Sequence, residues 1–235
     1  MKLDNRSGQT ADERSPIVRL RLLDAFERLL VFGLFIHFAM SMTPRYLDLA
    51  SLPYAGQILT LPALFAAAGA LLLLASEAIA VSLVLIRRAT LTVSTSPLDW
   101  ALAFAGSATP LLVHPAAPAG AGQLAAAQAM MLAGLALQIW AKLALSRSFG
   151  VVPANRGIRT RGPYRVVRHP MYAGYSLTHF GFLLGYPSSY NAVLYVSVFL
   201  VQIARLLREE QVLGADPTYD LYRKRVPNRL IPRVF

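Results

Sequence analysis

A short basic segment of the sequence combines residue types that suit the binding of a small charged molecule. Residues 155–175 read NRGIRTRGPYRVVRHPMYAGY, in which five arginines surround His169. Arginine side chains and the backbone N–H groups at a helix start bind carboxylates, and aromatic faces bind cations and flat rings. Pro163 and Pro170 fix the local backbone, and Pro170 suits the first turn of a helix. Headgroup contacts of a basic loop explain the arginines, but they do not explain the dense Gly-Pro-Tyr and His-Pro-x-Tyr pattern.

A second group of candidate residues lies nearer the C-terminus. Arg205 and Glu209 are four residues apart and therefore share a face of a helix, and Glu210 adds another carboxylate. A glutamate binds an ammonium group, whereas an arginine binds a carboxylate or a phosphate. Ordinary charges at the end of an apolar helix are the alternative interpretation. The chain has no cysteine and no metal-ligand spacing, so we predict no metal and no thiolate nucleophile.

The composition indicates that these groups are positioned by membrane helices. Hydrophobic residues make up 55% of the chain and charged residues 15%, against about a quarter charged in soluble domains. A membrane span needs roughly 20 mainly apolar residues. The sequence therefore predicts an all-α, polytopic transmembrane helical bundle of about six spans with a pocket at its cytosolic face. The candidate spans are 25–43, 61–86, 97–114, 123–145, 170–187 and 190–207.

The positions of the basic residues predict the orientation. Of the 23 lysines and arginines, all but Arg45 lie in or next to every second connecting segment and the two termini, which the six spans place on one side of the membrane. This is expected when basic loops stay in the cytoplasm. Both termini are then cytoplasmic, and the net charge of +11 reflects topology and anionic headgroups rather than nucleic-acid binding. The pattern suits a bacterial inner membrane, and a protein of the eukaryotic endoplasmic reticulum would show the same pattern. The short chain, rich in Ala, Leu and Arg, favours the bacterial membrane.

We divide the chain into three parts. Residues 1–15 are predicted to be a disordered tail, residues 16–141 to hold about four spans preceded by a short interfacial helix, and residues 142–235 to form a core with spans five and six and a cytosolic C-terminal segment. Residues 120–125 fit a dinucleotide-binding pattern but follow no strand, and no acidic residue stands about 20 positions later, so we reject that site. Glu77 and His37 are polar residues inside spans, which makes each a candidate substrate contact or a packing residue.

The two motifs together resemble a known superfamily. Gly162-Pro163-Tyr164 and the segment from Arg168 to Gly174 are similar to the signature of the isoprenylcysteine carboxyl methyltransferase and phospholipid methyltransferase superfamily. The resemblance covers roughly residues 142–232 and continues in Arg205, Glu209-Glu210, Leu213 and Tyr219-x-x-Tyr222-x-x-x-Val226-Pro227. Family members often have Phe-Gly before the Tyr-x-x-Tyr segment, where this chain has the shorter Gly214-Ala215-Asp216-Pro217.

The resemblance implies transmembrane helices whose cytosolic half encloses S-adenosylmethionine (SAM). It assigns Glu209 as the acidic cofactor ligand, with Glu210 as the competing residue, and it places Arg205 on the substrate side. We therefore take Arg205 and Glu210 as candidate catalytic residues. The candidate cofactor-binding residues are Arg156, Gly157, Ile158, Arg159, Tyr164, His169, Pro170, Met171, Tyr172 and Glu209.

The function implied is SAM-dependent methyl transfer to a lipophilic acceptor, namely a lipid headgroup amine, a carboxylate or a thiol. A membrane lipid or lipid-linked substrate enters from the bilayer, and SAM enters from the cytosol. One alternative is an NADPH-dependent reductase of the steroid-reductase type, which has a similar Arg-His-Pro-x-Tyr segment. The paired glutamates favour SAM, whereas Arg156, Arg159 and Arg161 suit a 2′-phosphate. The other alternative is a non-catalytic membrane scaffold.

Overall fold

The computed structural model describes residues 6–51, 61–90, 92–114 and 116–235. Within these ranges the architecture is all-α, as predicted, apart from one isolated bridge between Val93 and Ala154. The helices are α1 (Arg6–Ser51), α2 (Leu61–Ile86), α3 (Pro97–Ala108), α4 (Ala121–Leu145), α5 (Pro170–Gly185), α6 (Ser189–Leu213) and α7 (Pro217–Arg225).

Three of the described helices are long and apolar enough to cross a membrane, and they make the chain a membrane protein. They are Ala63–Ile86 in α2, Ala121–Ser148 at α4, and Ser189–Leu213, which is α6. These correspond to the predicted spans 61–86, 123–145 and 190–207. At 12 and 16 residues, α3 and α5 are about 18 and 24 Å long, below the roughly 30 Å of a bilayer core. The predicted count of about six spans is therefore not confirmed.

The first helix is longer than expected. It takes in the predicted interfacial helix and the candidate span 25–43 as one element. No proline and only Gly33 occur between residues 17 and 43, so this stretch contains no strong stop signal. The described part of α1 starts at Arg6, inside the segment 1–15 for which a tail is predicted, and residues 1–5 lie outside the described residues.

The helices run alternately between two ends of the molecule. At one end, Arg28 of α1 donates hydrogen bonds to the carbonyl groups of Val84 and Leu85 in the last turn of α2. Arg208 of α6 forms an ion pair there with Asp99 of α3. We call this end the basic end. At the other end, the backbone N–H of Ala119 donates to the carbonyl of Gly185, where α5 finishes.

Small residues bring α5 into close contact with α4. A Cβ atom on Gly174 would lie 2.9 Å from the carbonyl oxygen of Gly134, and one on Gly181 would lie 2.9 Å from that of Ala127. Gly185 also faces Ala127. The spacing of Gly181 and Gly185 suggests close packing between the two C-terminal spans, but these glycines contact α4 rather than α6. Helix α4 therefore fixes the position of the start of α5.

The segment that departs from the family pattern forms the turn between α6 and α7. Gly214 ends α6, and Asp216 caps α7 by accepting a hydrogen bond from the backbone N–H of Thr218 at 2.8 Å. Pro217 occupies the first turn of α7, where its missing N–H costs nothing. The side chain of Asn155 donates to Asp216 at 2.8 Å, and these hydrogen bonds lower the pKa of Asp216. The turn thus ties α7 to the loop that follows α4.

Candidate functional site

A buried carboxylate from α1 holds the loop that follows α4. The side chain of Glu27 is fully buried, and one of its oxygens accepts hydrogen bonds from the backbone N–H groups of Val151 and Val152, each at 3.0 Å. The other oxygen accepts from Arg87 and Arg156, each at 2.9 Å. A buried charge is tolerated only when it is paired and hydrogen-bonded. Glu27 meets that condition by fixing the loop.

Arg156 therefore faces α1 within a cluster of charges. We call Asp24, Glu27, Arg28, Arg87 and Arg156 the α1 ion cluster. Burial lowers the pKa of Arg156, and the charge of Glu27 opposes this effect. The next three predicted cofactor residues lie on the same loop, directly after Arg156. Gly157 has a φ of +97°, a conformation that favours glycine. Ile158 is half-buried, and Arg159 donates to the hydroxyl of Ser148 at 3.1 Å.

Glu210 is surrounded by three cationic or potentially cationic side chains. Its carboxylate lies 2.8 Å from Nε of Arg168, 3.1 Å from Nε2 of His169 and 3.0 Å from Nε of Arg229. Arg168 also donates to the carbonyl groups of Val226 and Pro227. We call this arrangement the Glu210 clamp. It joins the start of α5, the end of α6 and the C-terminal segment.

The neighbouring Glu209 lies in a different environment. The hydroxyl of Tyr172 donates to its carboxylate at 3.3 Å, and among the described residues no cation lies within 4.0 Å of it. The guanidinium carbon of Arg205 lies 5.7 Å from the centre of the Tyr172 ring. Arg205 also donates to the carbonyl of Val151 at 3.3 Å, in the loop that Glu27 holds. The structure thus brings together Tyr172, Arg205 and Glu209, as the sequence predicts.

Tyr164 lies in a buried aromatic group with Tyr219 and Tyr222. The hydroxyl of Tyr222 donates to the carbonyl of Tyr164 at 2.8 Å, and Met171 packs against the group from α5. Burial raises the pKa of Tyr164 well above its ordinary value, and the charge of Glu209 adds to this effect. Tyr164 therefore stays protonated.

The start of α5 presents backbone donors toward this region. Pro170 is buried and occupies the first turn. The N–H groups of Met171 and Tyr172 have no hydrogen-bond partner among the described residues, whereas the N–H of Ala173 bonds to the carbonyl of His169. Unpaired N–H groups at a helix start favour an anion. His169, Pro170, Met171 and Tyr172 are therefore placed around one helix terminus.

One buried polar group falls outside the sequence motifs. The amino group of Lys142 in α4 is buried and donates to the hydroxyl of Ser76 at 2.7 Å and to its carbonyl at 3.2 Å. It lies 3.8 Å from the carboxylate of Glu77. Glu77 is therefore paired inside the bundle, whereas His37 is exposed. The sequence does not indicate that α2 packs against α4. The one available signal for this contact was the presence of polar residues within apolar helices.

Comparison with known proteins identifies the segment that carries the site. Residues 123–215 match the family model described as phospholipid methyltransferase, which belongs to the superfamily that the motifs resemble. Every predicted site residue lies inside the matched segment. No curated protein matches the chain. The predicted resemblance is confirmed for residues 123–215. Helices α1, α2 and α3, including the acidic residues of the α1 ion cluster, lie outside the match, and so does α7 with the predicted motif residues Tyr219 and Tyr222.

Proposed function

Residues 123–215 belong to the phospholipid methyltransferase family, and from this premise we propose that the protein transfers a methyl group from SAM to a lipophilic acceptor at the membrane–cytosol interface. The observation that carries the proposal is the carboxylate of Glu209, which accepts from Tyr172 and has no cation within 4.0 Å in the part of the chain that the structure describes. SAM supplies an electrophilic methyl group on a sulfonium sulfur. The remaining steps are binding, orientation and exclusion of water, which the chain's own residues perform.

The two adjacent glutamates have different roles in this proposal. SAM carries an ammonium group, and Glu209 has acceptor capacity for it because Tyr172 alone hydrogen-bonds its side chain among the described residues. Glu210 already accepts from Arg168, His169 and Arg229, so its charge is compensated and little acceptor capacity remains for a further cation. We therefore assign Glu209 to the cofactor and Glu210 to the clamp that holds the C-terminal segment.

The carboxylate of SAM suits the start of α5. The unpaired N–H groups of Met171 and Tyr172 provide two donors at a positive helix end. Arg159 makes no ion pair among the described residues and provides a further cation on the same loop. Arg156 supports this loop through Glu27 rather than contacting the cofactor, so its role in the proposal is positioning.

Arg205 and the ring of Tyr172 separate the cofactor from the acceptor. The guanidinium of Arg205 lies over the Tyr172 ring, and the Tyr172 hydroxyl donates a hydrogen bond to Glu209. Methyl transfer is an in-line displacement, so it depends on alignment and on water exclusion rather than on strong acid–base catalysis. The family description favours a phospholipid acceptor. An acceptor amine, carboxylate or thiol would approach Arg205 from the bilayer side.

Calorimetric titration of the detergent-purified protein tests the proposal. SAM and its demethylated product S-adenosylhomocysteine should bind, and NADPH should not. A His169→Ala variant should lose affinity for both ligands, because it disrupts the start of α5. Transfer of labelled methyl groups to added lipids then identifies the acceptor. Binding of NADPH alone would support the reductase, and binding of none of the three would support the scaffold.

A further inference from the structure

A groove at the basic end lies between the loop of residues 158–165 and α7. Its volume is about 620 Å³, and Arg161, Arg165 and Arg225 line it. Thr160 and Thr218 add hydroxyl groups to its walls. The groove is therefore large enough for a headgroup or a nucleotide, and three cations converge on it.

The charges in this groove have no internal partners. Among the described residues, Arg161, Arg165 and Arg225 form no ion pair, and no aspartate or glutamate lines the groove. Other arginines at this end do form ion pairs, among them Arg156, Arg168, Arg208 and Arg229. Three like charges that share a groove attract an anion and repel one another without it. The arrangement therefore suits a ligand that brings its own negative charge.

The groove is centred away from the residues proposed to hold SAM. None of His169, Tyr172 and Glu209 lines it, and Ile158 is the one predicted cofactor residue in its wall. SAM carries a single carboxylate, which needs one cation or one helix start. Three arginines match a phosphate better, because each guanidinium can donate two parallel hydrogen bonds to phosphate oxygens.

Apolar side chains border the cations. Leu221 lies four residues before Arg225 on α7, so the two share a face, and Leu221 is 59% exposed. Val166 follows Arg165 and is 55% exposed. Basic residues beside exposed apolar residues suit the boundary between headgroups and acyl chains. We propose that this groove binds the phosphate of an anionic phospholipid in the leaflet at the basic end, as a second ligand site that does not depend on methyl transfer.

Lipid binding to the full-length, detergent-purified protein tests this site. The groove variant is R161Q/R165Q/R225Q. The matched control is R21Q/K224Q/R233Q, which removes the same charge from exposed residues that have no ion pair among the described residues and do not line the groove. Native mass spectrometry should show that phosphatidylglycerol affinity falls at least tenfold in the groove variant, since each cation near a headgroup contributes about 1 kcal/mol. The control should retain wild-type affinity within about threefold.

The other outcomes each overturn the site. Equal losses in both variants would show that total charge alone attracts the lipid. Displacement of phosphatidylglycerol by millimolar inorganic phosphate would identify free phosphate as the source, and NADPH binding lost in the groove variant would identify a nucleotide. A parallel calorimetric titration with SAM separates the two proposals. Unchanged SAM affinity in the groove variant is expected, and a loss equal to the lipid loss would place the groove in the SAM site.

Discussion

At the scale of single residues, adjacent glutamates on one helix differ because successive positions point about 100° apart. Glu209 faces Tyr172, and Glu210 faces Arg168 and His169. We expect Glu209→Gln to lower SAM affinity by roughly 10- to 100-fold, because a hydrogen bond to a charged group contributes about 1.5–3 kcal/mol. Its melting temperature should stay near that of the wild type. Calorimetry with SAM and thermal unfolding in detergent measure the two effects.

The matched variant is Glu210→Gln. It leaves Arg168 and Arg229 without their carboxylate, so we expect a lower melting temperature and loosening of the C-terminal segment toward proteases. If Glu210→Gln lost SAM affinity at an unchanged melting temperature while Glu209→Gln bound normally, the two assignments would have to be exchanged.

Glu27 provides a second prediction at this scale. Glu27→Gln removes one of the two carboxylate charges that compensate Arg87 and Arg156, the other being Asp24, and breaking a buried ion pair costs about 3–5 kcal/mol. We expect a marked loss of thermal stability and weaker SAM binding, because the loop from Val151 to Arg156 loses its anchor. Asp220→Asn is the control. It breaks an exposed pair with Arg223, which should cost less than about 1 kcal/mol. Equal unfolding temperatures for the two variants would contradict the role of Glu27.

The sequence predicted contacts between residues close in sequence better than contacts between distant helices. The four-residue spacing of Arg205 and Glu209 and the motif around His169 singled out side chains that lie together beside Tyr172 in the structure. The contacts of Glu27 with Val151 and of Lys142 with Ser76 join distant helices. Local periodicity carries no information on which helices pack together, so these pairs were not predictable from one sequence.

At the scale of elements, the contact between α4 and α5 depends on glycine. A Cβ on Gly174 would lie 2.9 Å from the carbonyl oxygen of Gly134 and 3.1 Å from the backbone nitrogen of Gln138. Backbone atoms cannot move aside cheaply, so we expect Gly174→Ala to separate the helices, lower the melting temperature and reduce SAM binding. Gly33→Ala in α1 is the control, because no atom lies within 4 Å of its Cβ. A melting temperature for Gly174→Ala at or above that of Gly33→Ala would exclude this packing.

Also at the scale of elements, hydropathy predicts where the apolar helices lie but not all of their ends. The apolar runs located both ends of α2, α4 and α5 within two residues. Helix α3 ends at Ala108, six residues before the predicted end at 114, and α6 continues six residues past the predicted end at 207, because hydropathy measures which residues avoid water and not where a helix ends.

At the scale of the whole molecule, two observations agree on the direction of the helices. Basic residues of α1 and α6 and of the segments that follow α2 and α4 meet at the basic end, namely Arg28, Arg208, Arg87 and Arg156. The loop of residues 114–122, at the other end, contains no lysine or arginine. Because basic loops are retained in the cytoplasm, we expect the basic end and both termini to be cytoplasmic.

The absence of cysteine makes this orientation directly measurable. Ala117→Cys places one thiol on the loop at the uncharged end, and Lys224→Cys places one on α7, and both positions are exposed. In intact bacterial cells an impermeant maleimide should label Ala117→Cys, and it should label Lys224→Cys only after lysis. That result requires α4 and α6 to cross the membrane in the same direction and α5 to return between them, although α5 is only about 24 Å long. Labelling of both sites in intact cells would mean that the two loops share one side, and the methyl-donor site would then face away from cytosolic SAM.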